Sequence, residues 1–124
     1  MDEVHTSSAI RLLTSDWTLC APRFLAVELH NVLMSKTRGG ILTAPQGGAY
    51  AAQIDQLPVR WLEDRRFLYF AHQLALSFHP SVYDCLYAAT AITMRGKCVT
   101  ADRQFYDRLA PPYPETMLWI EDIP

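Results

Sequence analysis

The chain lacks any strong excess of charge. Its formal net charge is −2 over 124 residues, so a hold on nucleic acid would need a local basic patch rather than the field of the whole molecule. It also lacks a cysteine framework: Cys20, Cys85 and Cys98 are odd in number, scattered and without zinc-ligand spacing. All three sit in apolar segments, which predicts buried free thiols in a reducing compartment. No apolar run approaches the ~20 residues needed to span a bilayer. The leading MDEVHTSS is too polar and acidic for a signal peptide, so a cytoplasmic location is expected. Gly39-Gly40 and Gly47-Gly48 lack the G-x-G-x-x-G or G-K-S/T pattern of a phosphate loop, and no G-x-S-x-G elbow is present. His5, His30, His72 and His79 share no motif, and there is no internal repeat or low-complexity segment.

What is there is ordinary globular material, 50% hydrophobic and 19% charged. The length suits one domain, residues 1–124, with a real core. Short apolar runs alternate with helical patterns. Helices are predicted at His5–Thr14, Arg23 to about Thr37, Thr43 to about Leu57, Asp64–Phe78, Ser81–Arg95 and Arg103–Leu109. Strands are predicted at Trp17–Cys20, Val59–Leu62, Lys97–Thr100 and Met117–Ile120, with Pro22 in the first turn of the second helix. The final EDIP is expected to fray. Trp17, Trp61 and Trp119 fall in strand candidates, which makes core packing their default. This alternation predicts an α/β domain with a short parallel sheet covered by helices.

The stretch from His79 to Asp102 organises the rest. Between His79 and Arg95 the only charged residue is Asp84, on a helix that is apolar all round and therefore expected to be buried. A lone carboxylate there must be paired, hydrogen-bonded or bound to a cation. Asp102 follows the next strand directly, and Glu28 lies on the apolar stripe of the second helix, with Asn31 one turn further along. Each acid has a structural explanation as well. Glu28 could pair with a base such as Arg23, Ser81-Val82-Tyr83-Asp84 matches a capping box, and Asp102 suits a helix N-cap. Yet ligands in open α/β sheets bind at the carboxyl ends of strands. Carboxylates gathered there would repel one another unless a hard cation joined them, and oxygen-only ligation suits Mg2+ or Mn2+.

Three segments in order carry a resemblance: P-x-x-x-x-x-E-x-x-N from Pro22, H-P-x-x-Y-D-x-x-Y-x-A-x-A from His79, and V-T-A-D-x-x-F from Val99. The chain resembles the PIN-domain nucleases, specifically the VapC-type toxins of bacterial toxin–antitoxin pairs. The resemblance implies a three-layer α/β fold and a Mg2+- or Mn2+-dependent endoribonuclease that hydrolyses RNA phosphodiester bonds. It places acidic ligands at Glu28, Asp84 and Asp102, with Asn31 and Thr100 in support. It also implies a homodimer silenced by a small antitoxin. Such proteins open with a central strand ending in a further aspartate. Here MDEVHTSSAIRLL matches the helix that follows that strand, so an N-terminally truncated PIN-like domain is expected. For RNA phosphates the candidates are Lys36, Arg38, Arg95, Lys97 and Arg103. Two other readings stand beside the nuclease: a degenerate PIN-like module that binds protein or RNA without catalysis, and an unrelated α/β domain whose acids are caps.

Overall fold

The computed structural model describes residues 5–124; the leading Met1–Val4, with Asp2 and Glu3, lies outside the described residues. Helices and strands alternate, and both sheets are two-stranded and parallel. The mixed α/β class with short parallel sheets matches the expectation, although the strands form two separate pairs. The chain divides into two compact units.

Leu19–Leu62 forms one unit. It runs β1 (Leu19–Pro22), α2 (Phe24–Arg38), α3 (Ala44–Gln53), a 3-10 turn at Ile54–Gln56, and β2 (Val59–Leu62), which pairs with β1 in parallel from Leu19↔Val59 to Pro22↔Leu62. The first helix of the chain, α1 (Thr6–Leu13), belongs to the other unit. β1 starts two residues later than the apolar run suggested, and Pro22 ends the strand rather than opening the helix. Its fixed φ suits an extended residue at a strand terminus. Strand alternation turns Cys20 outward with its partner Arg60, so this thiol is exposed, contrary to expectation. α2 ends at Gly39, and Gly40 takes φ 79, a conformation glycine adopts without strain. Thr43 and Gln46 form a full capping box for α3. Gly47, no part of a phosphate loop, has a packing role. A Cβ there would sit 2.4 Å from Thr37 Oγ1, so glycine lets α3 approach α2 closely.

The described residues up to Thr18 form the other unit together with Glu63–Pro124. Its elements are α1 (Thr6–Leu13), a 3-10 turn at Asp64–Arg66, α4 (Leu68–Phe78), α5 (Val82–Met94), β3 (Cys98–Thr100), α6 (Arg103–Leu109), β4 (Met117–Trp119) and a 3-10 turn at Ile120–Asp122. β3 and β4 are parallel, joined by a crossover containing α6. The core joins Phe67, Ala71 and Leu74 to the small residues Cys85, Ala88 and Ala89 of α5, with Phe105, Leu109 and Met117. Small side chains on α5 let α4 pack closely against it.

Three expectations change here. α5 is buried only in its middle: Val82 is 39% and Tyr83 63% exposed, so its first turn opens to solvent. Its ends fall where predicted, with Ser81 at its N-cap and Arg95 closing it at φ 57. The C-terminal tail is tied down rather than frayed. Ser8, 1% exposed, donates to Glu121 Oε2 at 3.0 Å, His5 Nδ1 meets Glu121 Oε1 at 2.5 Å, and Ile123 is buried. Of the tryptophans, Trp17 precedes β1 and is 42% exposed, while Trp61 and Trp119 are half-buried. No helix among the described residues is long and apolar enough to cross a membrane.

Candidate active site

The turn between α4 and α5 sets Asp84. His79 takes the left-handed conformation (φ 70, ψ 11) and its N–H donates to the Ala75 carbonyl, closing α4. A non-glycine residue in that region stores strain. Buried Pro80 follows, and Ser81 caps α5 by accepting from the Asp84 N–H at 3.1 Å. This is the serine half of the capping box read from sequence. It puts Asp84 in the first helical turn, half-buried, where the helix dipole favours negative charge. The field of Asp84 reaches two thiols. Burial first, and Asp84 second, push Cys85 up to about 11 and Cys98 up to about 12, with Cys85 adding to the latter.

The end of β3 sets Asp102. Thr100 Oγ1 accepts from the Asp102 N–H at 3.0 Å, and Asp102 Oδ1 accepts from the Phe105 N–H at 3.2 Å, capping α6. Asp84 and Asp102 line one open pocket of about 230 Å3, with Ser81 on the α5 side and Gln104 and Arg108 on the α6 side. Both sequence-predicted acids of this unit therefore face the same cavity.

Residues 1–109 match the model of the PIN domain. The chain belongs to the PIN domain family. PIN domains are nuclease-type domains that act on RNA or other nucleic acid, and they typically use divalent metal ions. No curated protein matches this chain.

The other residues singled out in this PIN chain fall as follows. Thr100 supports Asp102 through its hydroxyl. Glu28 is half-buried and Asn31 exposed, both on α2 of the Leu19–Leu62 unit, as are Lys36 and Arg38 in its last turn. Arg95 terminates α5, and Lys97 Nζ donates to the Glu115 carbonyl. Arg103 Nε lies 3.2 Å from Asp107, and its guanidinium covers the rings of Tyr106 and Trp119. Of these bases, Arg95, Lys97 and Arg103 share a unit with the Asp84–Asp102 pocket and do not line it. Arg108 does, and sequence reasoning missed it, because nothing in its local sequence sets it apart from other surface arginines.

Among the described residues, no three His, Cys, Asp or Glu side chains are grouped to hold a metal ion. The donor chemistry of the pocket nevertheless fits a hard divalent cation. Its two carboxylates present oxygen, whereas the neighbouring thiols are held protonated by burial. Asp102 Oδ1 is fixed by a backbone N–H, which holds the carboxylate in one orientation.

Proposed function

We propose that this chain is a metal-dependent endoribonuclease, the toxin of a type II toxin–antitoxin pair. The observation that carries this reading is the meeting of Asp84 and Asp102 in one pocket of a PIN chain. In this proposal both carboxylates hold Mg2+ or Mn2+. The ion, when bound, activates water and stabilises the leaving oxygen of the phosphodiester. The chain's own part is positioning. Ser81 and the first turn of α5 hold Asp84, while Thr100 and the Phe105 N–H hold Asp102.

Glu28, with Asn31 beside it, joins the proposal on the family resemblance alone. The antitoxin and homodimer rest on the same resemblance. They are supported by exposed apolar pairs seven residues apart, Val27 with Met34 on α2 and Tyr69 with Leu76 on α4.

The test is cleavage of single-stranded RNA by the purified full chain with Mn2+, with and without chelator. Cleavage that needs the metal and disappears in Asp84→Asn is the expected result. Asp84→Asn retains the backbone N–H that Ser81 accepts from, so melting should stay near wild type. Equal cleavage by Asp84→Asn, or cleavage indifferent to chelator, would refute the assignment.

A further inference from the structure

α6 carries two polar stripes. Arg103 with Asp107, and Gln104 with Arg108, are each four residues apart, so each pair shares a helix face. The first stripe is engaged locally. Arg103 pairs with Asp107 at 3.2 Å and stands 5.2 Å and 5.0 Å from the ring centres of Tyr106 and Trp119. The second stripe lines the pocket that holds Asp84 and Asp102.

Arg108 is held in that position. Its Nη1 donates to the His79 carbonyl at 2.6 Å, the residue whose left-handed turn delivers Ser81 and Asp84. A guanidinium has five N–H donors in a planar fork. The bond to His79 uses one and leaves others for a ligand.

Charge decides what that ligand is. A pocket with carboxylates alone repels a phosphodiester. Arg108 adds the opposite sign on the α6 side, in the fork geometry that matches phosphate oxygens. We propose that Arg108 is the RNA-phosphate contact of this pocket, gripping the backbone beside Asp84 and Asp102. The identity of the ligand as RNA rests on the nuclease reading above.

The test uses the full chain and a fluorescein-labelled single-stranded RNA, with binding followed by anisotropy over a range of KCl in Ca2+. Arg108→Gln should weaken binding about tenfold, the size of one hydrogen bond to a charged group. It should also make the salt dependence shallower by about 0.7 in log–log slope, the single-strand value for one lost phosphate contact. In cleavage, KM should rise more than kcat falls, and Arg108→Lys should restore the slope. Arg65→Gln, at an exposed arginine of the Asp64–Arg66 turn, should leave the slope at wild type.

Glutamine removes the charge and the fork while keeping a polar amide on a shorter side chain. Should that variant still fail to fold, Arg108→Lys decides: weaker binding at wild-type slope supports the fork, and unchanged binding overturns it. An unchanged slope in Arg108→Gln, or no RNA binding by the wild-type chain, overturns the proposal. The two readings fail separately. A wild-type chain that binds RNA through Arg108 without cleaving loses the nuclease and keeps the contact. Cleavage with an unchanged slope in Arg108→Gln does the reverse.

Discussion

Asp102→Asn and Asp102→Ala, measured side by side, separate a helix cap from a catalytic charge. Oδ1 of Asp102 accepts from the Phe105 N–H at 3.2 Å, and α6 has only seven residues, so this bond secures much of its first turn. Alanine removes the acceptor, which costs about 1 kcal/mol at a typical N-cap. Asparagine keeps a side-chain oxygen and ranks beside aspartate as a cap. It gives up the charge–dipole attraction, about 0.3–1 kcal/mol at an exposed site such as this one. Some of that is offset by relief of repulsion with Asp84 across the pocket. The expected ranking in urea at neutral pH is therefore asparagine within about 0.5 kcal/mol of wild type and alanine about 1 kcal/mol below, with the same slope on denaturant. Mn2+-dependent RNA cleavage should vanish in both. If asparagine unfolds as early as alanine, the charge rather than the acceptor stabilises α6, and the cap accounting is wrong. If asparagine cleaves at the wild-type rate, Asp102 is a cap and not a ligand.

Two further outcomes are expected. A thiol reagent at neutral pH should modify Cys20 quickly and leave Cys85 and Cys98 untouched until the chain unfolds, because the first is exposed and the others are buried with raised pKa values. Fast reaction of a second thiol would contradict the buried core of α5 and β3. Glu121 is held below its ordinary 4.5 by hydrogen bonds from His5, first, and Ser8. A depressed carboxyl stabilises the fold above that value and loses its contribution as pH falls through its lower folded one. Melting should therefore drop with acidification below 4.5, and Glu121→Gln should flatten that part of the profile. An unchanged profile would mean that the carboxylate does not fasten the tail.

Helices were legible because their signals are local. Thr43-x-x-Gln46, Ser81 before Asp84, and Asp102 before Phe105 each satisfy first-turn donors with a nearby side chain, and all three caps form. Strand position was less legible. Within the apolar run WTLCAP nothing local chooses between Trp17–Cys20 and Leu19–Pro22. The choice is made by a partner some forty residues away, through the register that sets Leu19 opposite Val59. The same long-range pairing turns Cys20 outward. The C-terminal tail was misjudged for a related reason. Glu121 reads as a solvated terminal acid until the fold brings Ser8 and His5 to it.

Asp84 and Asp102 stand out in the sequence by the same features that make them ambiguous. A carboxylate at a helix start stabilises the helix by accepting backbone N–H groups and by meeting the positive end of its dipole. Those properties equally suit it to hold a cation. The cap and ligand readings are thus one local chemistry, and no local pattern divides them. What favours the proposed ligand reading is non-local: two such helix starts open onto one pocket in a PIN chain. Arg108 makes the complementary point. Its sequence context is that of any surface arginine. It gains meaning only because α6 turns Gln104 and Arg108 toward that pocket while Arg103, five residues earlier, lies across Trp119.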